Sequence, residues 1–346
     1  MPFSFMRWIR VVGSRKSQRR PLLRRRILPK FRSRIIQVFA VLLGLVVLAS
    51  VMGGCQESIP SAEEQAGHFV ETGEARLNAG EYDKAIPAFD EAIRLSPTSG
   101  RAYEGRGRAY GARGEWDRAI ADLTEALKRG FDGDGSVYAN RGGAYRGKKA
   151  WDLAIADFTE ALNRGFDGDG WVYVYRGTAY ARKGDLEAAL SDYSKAIETN
   201  PRDPIFLNGR GWTYLRLERD EEALKDLNAA IALKPLSGIY DSRGWAYFFL
   251  GDYDKASADA EEAMRLDPAL TWVKALQFRI LVARGKREEA VAMAEKTLQD
   301  LAPDDLARPV LEYFLGKRTL ADLKERFPQN WINYEVAVRG YEPAPR

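Results

Sequence analysis

From residue 66 onward, apolar positions recur with the period of a helix. Alanine, a large apolar residue and alanine stand at i, i+4 and i+7 in Ala119/Leu123/Ala126, Ala154/Phe158/Ala161, Ala189/Tyr193/Ala196 and Ala223/Leu227/Ala230. Ala256/Ala260/Ala263 keeps the spacing with a small central residue. Such a triplet forms one stripe on a helix. Upstream of each stripe runs a second one, for example Tyr103, Gly107 and Tyr110, again at i, i+4 and i+7. Small residues let two helix axes approach, and large ones fill the space between them. Gly114-Glu115, Gly184-Asp185 and Gly251-Asp252 supply turns between the two stripes. Pro97, Pro201, Pro235 and Pro268 end the second helices, because proline cannot continue a helix. The pattern predicts an all-α chain of helix–turn–helix units.

Those units repeat. Arg-Gly-x-(Ala/Thr)-Tyr occurs at Arg106–Tyr110, Arg141–Tyr145, Arg176–Tyr180, Arg210–Tyr214 and Arg243–Tyr247, with the glycines 35, 35, 34 and 33 residues apart. A period near 34 with small residues at its eighth, twentieth and twenty-seventh positions resembles the tetratricopeptide repeat (TPR). The repeats fall at 66–99, 100–134, 135–169, 170–203, 204–236 and 237–270, with a degenerate seventh at 271–303. The first fits through Gly73, Ala85, Phe89, Ala92 and Pro97; the seventh keeps Ala290 but has Phe278 in place of the glycine. The resemblance implies a right-handed superhelical solenoid whose terminal apolar face needs a cap. Residues 304–346 are expected to supply that cap, with helices near Asp305–Leu315 and Thr319–Phe327, then Trp331, Tyr334 and Tyr341 and a frayed end at Pro343 and Pro345.

One position departs from the family pattern. Arginine replaces the usual leucine before the motif glycine, on the face that packs. Asp122, Asp157, Asp192, Asp226 and Asp259 recur in step, three residues after the first alanine of each second helix. A partly buried guanidinium needs a partner, so the recurrence predicts a ladder of Arg–Asp pairs. The rival reading is an arginine track for an acidic ligand.

Charge is distributed very unevenly. Residues 1–34 hold twelve Lys and Arg and no acid, while the rest carries 41 basic and 49 acidic residues, a net charge of −8. The formal +4 of the whole chain is therefore no sign of a nucleic-acid partner, and none is expected. Ile35–Met52 is apolar apart from Gln37 and Ser50, and the arginine-rich lead before it predicts export of the repeats. Val51-Met52-Gly53-Gly54-Cys55 then resembles a bacterial lipobox, with Met52 in place of the usual leucine, and Cys55 is the sole cysteine. The resemblance implies cleavage before Cys55 and lipidation there, leaving the repeats anchored in the bacterial envelope. The alternative is an uncleaved single-pass helix in the inner membrane. Gln56 after the cysteine resembles lipoproteins forwarded to the outer membrane. Gln18-Arg19-Arg20-Pro21-Leu22-Leu23-Arg24 loosely resembles a twin-arginine signal, and Sec export ranks ahead of it. The organisation read from the sequence is thus 1–54 lead and apolar segment, 55–65 lipidation site and tether, 66–303 repeats and 304–346 cap.

Catalytic constellations are absent from this reading, and neither an enzyme nor a cofactor is expected. His68 has no second histidine or cysteine for a metal site. Arg129-Gly130-Phe131-Asp132-Gly133-Asp134-Gly135 recurs at Arg164–Gly170, but an EF-hand would need a glutamate where Gly143 stands. These segments read as lengthened turns with Asp134 or Asp169 capping the next helix. Their near-identity points to an internal duplication.

Function is expected on the other face of the first helices, where the residue after each glycine, with those at i−4, i+3 and i+4, forms a second stripe. In the TPR family this face lines the groove that takes peptides. Here Arg108, Gly143 and Thr178 give way to Trp212 and Trp245, joined by Trp171, Phe248, Phe249, Arg182 and Arg216. Aromatic residues not needed for packing indicate a partner-binding patch; alternatively they pack against a C-terminal segment folded back into the groove. The groove lacks the asparagine and lysine pattern of the chaperone-binding carboxylate clamp. The sequence thus reads as a membrane-tethered scaffold that binds other proteins or peptides, with an inner-membrane adaptor, or an enzyme sited in the C-terminal segment, as alternatives.

Overall fold

Every alanine that brackets a second-helix stripe is fully buried, from Ala119 and Ala126 through Ala256 and Ala263. These are the points where paired helices touch. In the computed structural model the described residues are 60–343, apart from the side chains of residues 329 and 331–333. The basic lead, the apolar run 35–52 and Cys55 lie outside the described residues.

The chain divides into two units, one ending at Ser99 and the other beginning at Gly100. In the first, α1 (Ala62–Asn78) and α2 (Tyr82–Leu95) form one antiparallel pair, entered through a capping box between Ser61 and Glu64. A Cβ added at Gly73 would lie 2.6 Å from the Phe89 ring, so only glycine admits that contact.

The second unit continues the same pairing. Its helices are α3 (Gly100–Ala112), α4 (Trp116–Lys128), α5 (Ser136–Gly147), α6 (Trp151–Asn163), α7 (Trp171–Lys183), α8 (Leu186–Thr199), α9 (Pro204–Arg216), α10 (Asp220–Leu233), α11 (Ser237–Phe249), α12 (Tyr253–Leu266), α13 (Val273–Ala283) and α14 (Arg287–Asp300). Each falls inside the repeat bounds expected from the sequence. No strand occurs among the described residues.

The arginine ladder is present at every rung. Arg106, Arg141, Arg176, Arg210 and Arg243 each donate Nε and Nη2 to both carboxylate oxygens of Asp122, Asp157, Asp192, Asp226 and Asp259, at 2.7–2.9 Å. The hydrogen bond to aspartate is the largest influence on Arg141, Arg210 and Arg243 and lifts them above the ordinary guanidinium value. In four rungs Nη1 reaches the second helix of the preceding repeat. Arg141 takes Thr124 Oγ1, Arg176 takes Thr159 Oγ1, Arg210 takes Ser194 Oγ and Arg243 takes Asn228 Oδ1. These acceptors all stand two residues after the aspartate of the previous rung. Tyrosine rings three residues before and four after flank Arg141, Arg176 and Arg243 within 6 Å. One guanidinium therefore joins the two helices of its own repeat and ties that repeat to the last one. Where the arginine is missing so is the aspartate: Thr72 is matched by Ala88 in the following helix, and Gln277 by Met293.

The repeated glycine turns differ from expectation. Asp132 and Asp167 accept the N–H of Asp134 and Asp169 at 3.2 and 3.1 Å. Asp134 and Asp169 sit at φ 54° and 56°, and Gly135 and Gly170 are the residues preceding α5 and α7. Asp134 and Asp169 therefore do not cap α5 and α7, whose N-cap glycines have no side-chain cap bond; Asp132 and Asp167 instead close an Asx turn two residues earlier.

Beyond α14 the chain closes its own end with α15 (Arg308–Phe314), α16 (Leu320–Arg326) and α17 (Trp331–Val338). The sequence pattern does not predict the last of these as a helix. Phe278, the residue replacing the motif glycine, stacks on Phe314 at 4.8 Å, and Tyr341 packs edge-on against Phe314 at 4.9 Å. Loss of the glycine converts a helix-crossing point into the floor for the cap.

The ladder and the turns can each be tested by substitution. Arg176→Met leaves Asp192 buried without its partner and should cost about 3 kcal/mol, whereas Arg176→Met/Asp192→Leu should recover most of the loss. Hydrogen exchange of α7 and α8 amides reads this locally. Lys149 and Glu218 occupy the left-handed turn position (φ 61° and 60°) that Gly114, Gly184 and Gly251 hold in other repeats. Lys149→Gly and Glu218→Gly should each stabilise by about 1 kcal/mol in urea unfolding.

Candidate interaction surface on the first helices

The ladder holds one face of each first helix, and the opposite stripe carries none of its Arg–Asp pairs. A Cβ built on Gly143, in the middle of that stripe, meets no atom within 4 Å. The surface is open there.

Further along, the stripe is covered by the chain itself. Trp245 is fully buried, with Phe249 stacked on it at 5.8 Å and Phe248 edge-on at the same distance. The Arg339 guanidinium lies 3.2 Å above the Phe249 ring, and Arg339 also donates to Leu215 O and to both oxygens of Asp220. Arg279 stands over Phe248 and donates to the carbonyls of Ala337 and Arg339. Trp245, Phe248 and Phe249, expected in a partner-binding patch, are here the seat of the C-terminal segment, the alternative left open by the sequence. Apolar burial on both sides holds it there.

The remaining expected residues gather on α7 and α9. Trp171 is half-buried and meets Phe206 edge-on at 5.0 Å. Trp212 is half-buried against the core around Trp245. Arg216 is almost wholly enclosed; it pairs with Glu335 of α17 at 2.7 Å and donates to Ala181 O at 2.7 Å. Arg182 beside it is pulled down to about 10, first by burial and then by the charges of Arg216 and Arg146. Arg108 stands apart on α3, 3.5 Å from Glu104.

Five buried side-chain polar atoms among the described residues have no hydrogen-bond partner: Arg146 Nε, Asn208 Oδ1, Trp212 Nε1, Asp241 Oδ1 and Trp245 Nε1. All five belong to this stripe, at the residue after the motif glycine or at i−4 or i+3 from it. Buried polar groups are rarely left unsatisfied, at a cost of about 1–3 kcal/mol each. Sequence reasoning supplies the positional rule but singles out the aromatic members with Arg108, Arg182 and Arg216. It passes over Arg146, Asn208 and Asp241, which the same rule selects.

Asp241 carries a pH signature. Burial lifts its carboxyl from 3.8 to about 7. Between those values the folded chain keeps a proton that the unfolded chain has released, so this group's contribution falls as pH rises through the window and stays low above it. Asp241→Asn should raise the melting midpoint by about 5 °C near pH 8 and leave it unchanged near pH 4 in scanning calorimetry.

The repeat pattern has counterparts in known proteins. Tetratricopeptide repeat family models match residues 70–110, 105–169 and 176–237, and a second such model matches 238–270. "Protein STIP1 homolog" of Dictyostelium discoideum is 33% identical over 100 residues, covering 28% of this chain and 18% of that protein. "Hsp70-Hsp90 organizing protein 3" of Arabidopsis thaliana is 31% identical over 131 residues, covering 34% of this chain and 24% of its own. The chain thus spans about a quarter or less of the length of these curated relatives. The solved structure of a tetratricopeptide repeat protein from Parabacteroides merdae superposes with a TM-score of 0.57 at 19% identity, over 72% of this chain and 98% of that one. Motif, helix pairing and family models agree, and the chain belongs to the tetratricopeptide repeat family.

Proposed function

We propose that this chain is a membrane-tethered scaffold of the bacterial cell envelope that binds other proteins or peptides along the inner stripe of α3, α5, α7 and α9. The observation that carries the reading is the stripe itself. On α5 and α9 it carries buried polar atoms without partners, at Arg146, Asn208 and Trp212, and Gly143 leaves open space on α5. Where its own C-terminal segment leaves it uncovered, such a face is offered to an extended segment of another chain.

Tethering rests on the sequence ahead of the described residues. A sole cysteine after an apolar run and two glycines stands as lipidation requires, and acyl chains anchor at about 0.8 kcal/mol per buried CH₂. Among the described residues no helix is long and apolar enough to cross a membrane, so attachment would lie with residues 35–55. Met52 in the lipobox supports a second reading, in which that segment stays uncleaved and spans the inner membrane.

Metabolic labelling with palmitate should mark the wild-type chain and not Cys55→Ala; label that persists in the variant contradicts the lipoprotein reading, and a full-length mature mass supports the spanning one. For the interaction surface, a photo-crosslinking residue at Gly143 should capture a partner in native envelopes, whereas one at the exposed Lys128 of α4 should not. Equal capture from both positions would place binding elsewhere.

A further inference from the structure

Two sets of arginines on the first helices differ in setting. The five ladder arginines each hold a dedicated aspartate. Arg146, Arg182 and Arg216 stand instead on the inner stripe of α5, α7 and α9, in the last turn of each helix. They lie within electrostatic reach of one another, since Arg216 and Arg146 both depress Arg182. Arg146 is packed over the Tyr175 ring at 4.5 Å, with its Nε buried and unpartnered. Tyr193 closes the floor. Thr178 Oγ1 gives its proton to Val174 O at 2.8 Å, so the Tyr193 hydroxyl donates to Thr178 at 3.0 Å and stays fixed. From outside these helices, the group seated against Arg216 is a carboxylate, that of Glu335.

Like charges gathered in a partly dry site repel one another and are costly unless anions answer them. Guanidinium forks bind carboxylates through short, charge-assisted hydrogen bonds, and Glu335 shows that a side-chain carboxylate fits this place. A nucleic acid or an anionic membrane would also supply negative charge. Both present extended anionic surfaces, however, and residues 35–346 carry a net charge of −8, which repels such surfaces. A short segment that places one or two carboxylates into the cluster avoids that repulsion.

We propose that Arg146, Arg182 and Arg216, walled by Tyr175 and Tyr193, form a binding site for acidic side chains of an extended partner peptide, and that Glu335 of α17 occupies part of it in the free chain. The proposal rests on the inner stripe being the interaction surface. It adds the chemistry of the occupant and makes the C-terminal helix a competitor for the same guanidinium.

The test uses the full chain in nonionic detergent micelles and a fluorescein-labelled Gly/Ser peptide bearing three glutamates, read by anisotropy. Its glutamine counterpart and a 20-residue oligothymidine serve as the other probes. The glutamate peptide should bind at least about tenfold more tightly than the glutamine peptide. Arg146→Gln and Arg182→Gln should each weaken it about tenfold. Arg146→Lys should keep part of the affinity, because charge remains and the fork is lost. Glu335→Gln should tighten binding several-fold by removing the internal carboxylate. Equal affinity for the glutamate and glutamine peptides overturns the proposal, as does tighter binding of oligothymidine that Arg146→Gln and Arg182→Gln also weaken, or unchanged peptide binding by both arginine variants. A partner captured at Gly143 while the glutamate peptide shows no preference would refute the acidic site alone. Absence of capture at Gly143 together with absence of peptide binding would refute the interaction surface as well.

Discussion

The bidentate pair between the arginine before each motif glycine and the aspartate of the next helix is the constraint on which this array depends. Alanine and glycine crossings bring helices together, but small residues alone specify neither partner nor register. A guanidinium with all three nitrogens committed does both. Two are spent on the aspartate within the repeat, and in four rungs the third reaches a hydroxyl or amide oxygen in the repeat before it. A charged pair between helices is weak evidence for stability in itself, because desolvation opposes the Coulomb gain. Here its value lies in geometry. A shifted repeat would leave a buried aspartate without its fork, so the cost of a wrong register is high even where the gain from the right one is modest.

Much of this is legible in the chain because repetition turns a weak local signal into a strong one. A single Arg-Gly-x-Ala-Tyr says little, whereas five at a fixed period, each answered by an aspartate in phase, specify helix boundaries, pairing and the ladder. Where the period breaks, legibility falls. The aspartates of the lengthened turns resemble caps because spacing alone does not reveal the left-handed conformation at Asp134 and Asp169. The helix at Trp331–Val338 is hard to see because its amphipathic signal is short and because α9 and Arg279 of α13, which it meets, are remote in sequence.

The candidate site shows the same division. Phase identifies the stripe opposite the ladder, but which part lies open depends on where the C-terminal segment returns, and no periodicity encodes that. Trp245 and Phe248 look like an exposed aromatic patch until Arg279 and Arg339 bring the chain end across them. Arg146, Asn208 and Asp241 look like ordinary helix residues until burial without partners sets them apart. The position that varies most between repeats is where the candidate site lies, and the recurring arginine belongs to the packing.

The central claim is a division of labour between arginines that pack the array and arginines that meet a ligand. Nitrogen-15 spectra of the arginine Nε–H groups, recorded on the full chain with and without the glutamate peptide, test it most directly. The ladder protons of Arg106, Arg141, Arg176, Arg210 and Arg243 should exchange slowly and keep their shifts on addition of peptide, while those of Arg146 and Arg182 move. Fast exchange at the ladder, or peptide-induced shifts there with Arg146 and Arg182 unmoved, would contradict it.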